Sequence, residues 1–261
     1  MWDRKSTDSV VDEIQGLNQR GGRMLTAADL LTAGTVDLDL MAYLLRVMSR
    51  GASVITCAGP GGTGKTTLLG ALLCFLPTNM QLRVVDGPDS FAETDVCYLC
   101  HELGQGPYYS YLWGDAARSF LKIAAQPDTR FCATTAHADT LEELREMLVG
   151  PAIGLSESAF AHLDLVVFMR RLGGFGRAKR RVTHVYAGTG DVARSHIHVC
   201  RWEPEADRFV WQLPDGAGWS ETCPYGDILT PYRDFLSRLH TRQVLTVAEV
   251  RQEARRFLRK A

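Results

Sequence analysis

Residues Gly59-Pro60-Gly61-Gly62-Thr63-Gly64-Lys65-Thr66 fit the pattern G-x-x-x-x-G-K-[ST] at every fixed position. The run before them, Ser53 to Ala58, has the length and apolar content of a buried strand. The run after them, Lys65 to Leu76, reads as a helix stopped by Pro77. A strand, a glycine loop and a helix in that order make a phosphate cradle. Backbone N–H groups must wrap the oxygens, a Cβ on the loop would obstruct them, and the helix N-terminus adds partial positive charge. The pattern assigns nucleotide binding to Gly59, Gly61, Gly62, Thr63, Gly64, Lys65, Thr66 and Thr67. Lys65 would reach the β- and γ-phosphates and the Thr66 hydroxyl would take a Mg²⁺ position. A glycine turn that fits by chance is the competing account, and the flanking strand and helix weigh against it.

Periodicity extends this unit in both directions. Residues 1–25 are polar and expected to be loosely ordered. Residues 25–51 read as two helices with Thr26 and Thr35 as caps. After the glycine loop come strands over "LRVVD" and "VCYLCHE", a helix over "YSYLWGDAARSFLKIAAQ", a strand over "TRFCATTAHA" and a helix over "TLEELREMLVG". Beyond them lie strands over "LDLVVFMRR" and "RRVTHVYAG", a hairpin turning near Glu203-Pro204, and two amphipathic helices. Strands alternating with helices, followed by a run of strands, predict an α/β core with a mostly parallel sheet and a hairpin extension. The expected divisions are 1–25, 26–215 for the nucleotide-binding domain, and 216–261 for a C-terminal helical extension.

The bulk numbers exclude several classes. A net charge of -1 exerts no overall pull on nucleic acid or anionic lipid. No run approaches the roughly 18 apolar residues of a spanning helix, and the N-terminus has no secretory core segment, so a cytoplasmic protein is expected. Cys97-x-x-Cys100-His101 has the spacing of a c-type haem site. The seven cysteines are an odd, scattered set within apolar runs, export is not indicated, and no second ligand pair exists for zinc. Neither haem nor zinc is expected.

A P-loop needs a further acid for metal or water at the end of a neighbouring strand. Asp86 after "LRVV" and Glu102 after "VCYLCH" are the candidates, and a solvated strand-end carboxylate is the plainer account of each. His137 ends the strand-like "FCATTA". Arg170, Arg171, Arg177, Lys179, Arg180 and Arg181 form a basic hairpin, read first as solvated charge and second as a contact for a neighbouring subunit's phosphates or for nucleic acid. Arg251, Arg255, Arg256, Arg259 and Lys260 accompany Val247, Val250 and Phe257 on the last helix. That helix either docks on the core or touches a membrane or a membrane protein. Trp202, Phe209 and Trp211 alternate with polar residues and are expected in the hairpin core.

From about Leu25 onward the chain resembles the hexameric ATPases of type II and type IV secretion, type IV pili and conjugation, most of all their archaeal branch, which includes the archaellum motors. "LRVVDGPDS" resembles a degraded form of that family's acidic box, with Asp86 at its first acid and Gly87 and Ser90 in place of the others. "LCHELGQG" resembles its Walker B, with Glu102 at the acid, His101 in place of a glycine and Gly104 in place of an arginine. "CATTAHADTLEEL" resembles its His box through Thr135, His137 and Ala138; the earlier histidine of that box falls on "PDTR" and is missing. The distal strands match in their R-R-V and W-x-P-x-x-D patterns.

The resemblance implies a RecA-like P-loop core that binds ATP and Mg²⁺. Glu102 would position or polarise the attacking water, Asp86 would assist, and His137 would sense the γ-phosphate. It implies a homo-oligomeric, hexameric or mixed ring. That ring would work at the inner face of the cell membrane with a pilus or secretion platform protein, powering assembly or export of pilin-like subunits. Two departures qualify it. "SFAETD" stands where the family carries an arginine-rich segment, and the domain that precedes the motor in most members has no counterpart in residues 1–25. Arginine fingers are worth roughly 10³ to 10⁵ in rate in other P-loop systems. The alternative is therefore a weakly active or vestigial nucleotide-binding regulator within a mixed assembly. A small-molecule kinase lacks its arginine-rich lid here, and a nucleic-acid motor lacks its basic track beyond the 170–181 hairpin.

Overall fold

The computed structural model describes residues 9–18, 22–59, 61–87, 91–126, 129–173 and 178–260. Pro60, Ser90, the first two residues of "PDTR" and Arg177 lie outside them. In chain order, α1 (Ser9–Gly16), α2 (Ala27–Thr32) and α3 (Leu38–Met48) lead to β1 (Val54–Cys57), and α4 (Lys65–Leu73) follows the glycine loop. Then come β2 (Gln81–Val84), β3 (Val96–Leu99), the short β4 (Glu102–Leu103) and β5 (Tyr111–Leu112), and α5 (Gly114–Leu121). Next are β6 (Arg130–Ala136), α6 (Leu141–Val149), α7 (Glu157–Ala161), β7 (Leu165–Leu172) and β8 (Lys179–Gly188). The chain ends with β9 (His196–Glu203), β10 (Arg208–Gln212), β11 (Trp219–Ser220), α8 (Thr230–Thr241) and α9 (Val247–Leu258).

One sheet joins the strands in the order β11-β10-β9-β8-β7-β1-β6-β3-β2, with β4 and β5 attached beside β6. From β2 to β7 all pairings are parallel, and from β7 to β11 all are antiparallel. The expected α/β class holds. The antiparallel strands continue the same sheet rather than standing apart as a hairpin extension. The β9–β10 turn falls after Glu203 as predicted, which pairs with Arg208.

The sequence explains the centre. All four residues of β1 are buried between β6 and β7, which is why Ser53 to Ala58 reads as an uninterrupted apolar run. Alternate residues feed two cores. Val54 joins the cluster that holds α1 to α4, α8 and α9, while Ile55 and Cys57 join the one that holds α5, α6 and α7. Helices thus cover both faces, as parallel sheets require. α4 is apolar nearly all round, with Leu68, Leu69, Ala71, Leu72 and Leu73 buried, the mark of a helix packed within a core.

Three expectations change. The N-terminal segment is not loose throughout: α1 buries Val10, Val11 and Ile14 in the same cluster as α4 and α9. α3 is capped by Asp37, whose Oδ1 accepts the Leu40 N–H at 2.7 Å. Thr35 is instead buried, and its carbonyl accepts the Val182 N–H. The helix predicted from Tyr109 begins only at Gly114, because Tyr111 and Leu112 pair with β4. The C-terminal helices, as the docking reading of the last helix has it, share one core with α4, and Phe235 of α8 meets Phe75 at 6.4 Å between ring centroids.

Candidate functional site

The glycine loop joins β1 to the buried helix α4, so its position is fixed at both ends. Thr56 Oγ1 donates to the Lys65 carbonyl at 3.1 Å and ties the strand to the first turn of the helix. Gly64 caps α4 with φ 101°, a conformation reserved for glycine. Gly59 is required for space instead. Its N–H donates to Asp139 Oδ1 at 2.7 Å, and a Cβ there would stand 2.2 Å from Asp139 Oδ2.

Lys65, Glu102 and His137 come together at this helix end from three elements. Lys65 Nζ lies 3.4 Å from the Ala58 carbonyl, 3.1 Å from His137 Nδ1 and 3.7 Å from Glu102 Oε2. His137 Nε2 stands 3.1 Å from Glu102 Oε1, and Nδ1 meets the Gly59 carbonyl. Thr135 Oγ1 donates to the His101 carbonyl at 2.9 Å and lies 3.3 Å from Glu102 Oε2, so β6 orients the carboxylate. Burial pushes the Lys65 pKa below its ordinary value, with the Glu102 carboxylate pulling the other way. Such a group accommodates an anion readily, because an anion restores what burial removed.

Asp86 is not part of this group. It is exposed, and its Oδ1 accepts the Ser110 N–H at 2.9 Å, bracing the loop that leads from β4 to β5. It does not line the cleft that holds the other three. His101 backs Glu102 with its N–H on Ser110 Oγ at 3.0 Å, and burial lowers its pKa, opposed by Asp86. Cys97 and Cys100 point to opposite faces of the sheet, one into each hydrophobic cluster, so the two thiols cannot meet one haem or one metal ion.

The cleft above α4 has a volume of about 610 Å³. Gly61 to Thr67 form its floor, with Glu102 and His137 at the edge. Leu17, Met24, Leu25 and Leu30 make an apolar wall that the sequence reading did not assign, and Tyr111 and Met169 also contribute. The thiol-free, oxygen-bearing floor suits a hydrated phosphate–metal group. Thr63 is buried, and its hydroxyl has no hydrogen-bond partner among the described residues, leaving a polar atom unsatisfied until something fills the cradle. Thr66 also lines the floor. Thr66 offers a hydroxyl and Glu102 a carboxylate to the same cleft, the kind of donors that suit Mg²⁺, which takes few protein oxygens and completes its shell with phosphate and water.

The basic hairpin divides. Arg181, expected as solvated charge, is buried. It forms a fork with Asp207, Nε to Oδ1 at 2.8 Å and Nη2 to Oδ2 at 2.9 Å. This pairing holds the Asp207 carboxyl at about 2. Arg180, one residue earlier, turns the other way and lines the cleft with Lys179. On α9, Arg251 is buried with Val247, Val250 and Ala254. Phe209 and Trp211 are buried in the hairpin core, and Trp202 Nε1 donates to Asp207 Oδ1 at 2.9 Å.

No protein-family model matches the chain. It is similar to two uncharacterized proteins of Methanocaldococcus jannaschii. One is 25% identical over 208 residues, covering 69% of this chain and 76% of that protein. The other is 23% identical over 213 residues, covering 72% of this chain and 38% of that protein. Among solved structures it is similar to the VirB11 ATPase from the Brucella suis type IV secretion system in complex with sulphate. That match has 22% identity and a TM-score of 0.41, and covers 62% of this chain and 54% of the other. The chain thus spans only part of each of these proteins. Among the described residues no helix is long and apolar enough to cross a membrane.

Proposed function

We propose that this chain is a Mg²⁺-dependent P-loop ATPase with a RecA-like core, a motor domain of the secretion and pilus ATPase type. The observation that carries the reading is the meeting of Lys65, Glu102 and His137 within hydrogen-bond or ion-pair reach at the N-terminus of α4. The backbone N–H groups of residues 61 to 66 take the phosphate oxygens. Lys65 leaves the Ala58 carbonyl and the His137 ring for the β- and γ-phosphates. Glu102, oriented by Thr135, accepts a hydrogen bond from the attacking water and aligns it. His137 bridges the Gly59 carbonyl and Glu102, so loss of the γ-phosphate reaches the P-loop and β4 through one ring. Mg²⁺, held beside Thr66, supplies charge neutralisation on the phosphate oxygens when bound. The apolar wall of Leu17, Met24 and Leu25 takes the nucleobase.

The resemblance of the Walker B, His-box and distal-strand segments extends the proposal to a ring at the inner face of the membrane. There ATP turnover drives assembly or export of pilin-like subunits through a platform protein. One observation favours a second reading, a weakly active nucleotide-binding regulator in a mixed assembly. Asp86, the only remnant of the acidic box, is engaged by Ser110 outside the cleft. Steady-state ATP hydrolysis separates the two, with nucleotide affinity measured on wild type, Lys65→Ala and Glu102→Gln. Turnover by wild type alone supports the motor. ATP binding by wild type with turnover no greater than Glu102→Gln supports the regulator. Failure of wild type to bind ATP overturns both.

A further inference from the structure

We propose that Arg180 is a phosphate ligand of the bound nucleotide, an arginine supplied in cis where the family-like arginine segment is missing. The proposal rests on the reading of the cleft as an ATP site. Arg180 is the second residue of β8 and lines the same cleft as Lys65, Thr66 and Glu102. Its Nε donates to the Gly62 carbonyl at 3.2 Å. Its Cδ lies where a Cβ on Gly64 would stand only 3.1 Å away. The side chain therefore lies across the first turn of α4, and among the described residues no partner holds its two terminal amino groups.

The base of this side chain is fixed by its neighbours. Arg181 is buried in its fork with Asp207 and also donates to the Ala33 carbonyl at 3.2 Å. The Val182 N–H is taken by the Thr35 carbonyl. With residues 181 and 182 anchored to the α2–α3 connection, the first two residues of the strand, Lys179 and Arg180, face the cleft.

Electrostatics asks for an anion at this place. A cation at a helix N-terminus faces the positive end of the macrodipole and is disfavoured unless an anion lies between them. The cleft lining carries Lys65, Lys179 and Arg180 against the single carboxylate Glu102. Arg180 offers a planar pair of donors, the geometry that phosphate oxygens accept bidentately. Its Nε bond to Gly62 braces the peptide plane of the loop, and its terminal groups complete the cradle.

The test measures ATP and ADP affinity, steady-state turnover and melting temperature with and without ATP. It compares wild type, Lys65→Ala, Arg180→Ala, Arg180→Lys and Arg180→Gln. Arg180→Gln keeps an N–H for Gly62 but no charge, and Arg180→Lys keeps the charge without the fork. The expected result is a loss of ATP and ADP affinity of about 10- to 100-fold in Arg180→Ala and Arg180→Gln. Arg180→Lys should lie between these and wild type, the apo melting temperature should be unchanged, and the ATP-induced rise should be smaller. Two results overturn the proposal while leaving the ATP site standing. One is wild-type affinity in Arg180→Ala beside a defective Lys65→Ala. The other is a lower apo melting temperature in Arg180→Ala with Arg180→Gln behaving as wild type, which makes the residue a loop brace. Absence of ATP binding by wild type overturns the underlying reading, and this proposal with it.

Discussion

The Lys65 ammonium and the His137 ring are in contact: Nζ stands 3.1 Å from Nδ1 and 3.2 Å from Nε2. The ring simultaneously reaches the Gly59 carbonyl and Glu102. One side chain just past the end of β6 thus touches the loop, the helix lysine and the acid. Replacing it should leave the cradle intact and uncouple the acid. His137→Ala is expected to keep ATP affinity within about threefold while turnover falls by at least about 10²-fold, the scale of a lost proton-handling or water-positioning group. Single-turnover hydrolysis with parallel nucleotide titration checks it. A matching loss of affinity would show that the ring holds the loop rather than the reaction.

Lys65 carries a stability cost in the folded protein. Burial lowers its pKa in the folded protein, so the unfolded chain binds the proton more readily. Stability contributed at this site rises as pH climbs from the folded value toward the ordinary lysine value, and the charged form is penalised at neutral pH. Lys65→Met should therefore raise the melting temperature of the nucleotide-free protein at pH 7 by about 2–4 °C, equivalent to about 1 kcal/mol for a domain of this size, while abolishing nucleotide binding. Differential scanning calorimetry decides it, and an unchanged or lower value would mean that the contacts to Ala58, His137 and Glu102 already offset burial.

Arg251 closes the far end of the helix that begins at Lys65. Its Nη1 donates to the Cys74 carbonyl at 3.2 Å and to the Leu76 carbonyl, and its Nη2 donates to the Pro77 carbonyl at 3.2 Å. The side chain is 1% exposed. These carbonyls lie at the C-terminal end of α4 and in its following turn, where helix carbonyls run out of intrahelical donors; that of Pro77 also accepts the Met80 N–H. Arg251→Met fills the space but takes away these donors, above all the one to the Leu76 carbonyl. It is expected to destabilise the protein by about 2–4 kcal/mol, from a buried unsatisfied acceptor cost of about 1–3 kcal/mol each. Urea unfolding of the two proteins measures the difference, with a midpoint shift and unchanged slope expected.

Much of the candidate site was legible because its determinants are local. The glycine loop is contiguous, β1 and α4 flank it, Glu102 opens β4 beside β6, and His137 follows the last residue of β6, which borders β1. Parallel strands deliver their C-terminal ends to one edge of the sheet, so residues distant in sequence converge there. Asp86 follows a strand too, but that strand, β2, lies at the sheet edge, three strands from β1, and the carboxylate serves the Ser110 loop instead. Arg180 reads as solvated charge in the sequence because nothing local distinguishes it from Arg181. Only the antiparallel pairing of β8 with β7, and the anchoring of Arg181 on Asp207 and Ala33, send one to the cleft and the other inward. The apolar wall from Leu17, Met24 and Leu25 lies in a segment whose polar composition hid α1. Its Val10, Val11 and Ile14 are too few to show a helical stripe among the charges around them.

Histidines on the antiparallel strands should make the protein acid-sensitive. Burial lowers His196 to about 4. His198 is also lowered to about 4, by burial first and then by His184 and Arg201. The groups facing His198 are His184 at 3.1 Å, Tyr186 stacked at 4.3 Å and Trp219 at 4.8 Å, and Arg201 lies over Trp219. Both folded values lie below the ordinary histidine value, so the unfolded chain takes up protons first. Their stability contribution is complete above about pH 6.5 and is lost as pH falls toward about 4. Melting temperatures at pH 7.5 and pH 5 should show a smaller acid loss in His198→Phe than in wild type. An equal loss would place the acid sensitivity elsewhere.

Gly59 and Asp139 test whether the loop depends on space or on flexibility. The Asp139 carboxylate accepts the Gly59 N–H at 2.7 Å and occupies the volume a Cβ at Gly59 would need, at 2.2 Å. The Gly59 φ is not in the left-handed region, so alanine is sterically excluded rather than conformationally strained. Gly59→Ala alone should reduce ATP affinity by about 10-fold or more, because the loop must move or the carboxylate must leave, a coupling of about 1.4 kcal/mol or greater. Asp139→Ala alone removes one hydrogen bond to the loop and should reduce affinity only a few-fold. The double variant frees the space, so its affinity should exceed that of Gly59→Ala. Isothermal titration of the four proteins gives the coupling energy directly. Additive losses would mean that the carboxylate already swings clear of the loop, and that Gly59 is required for another reason.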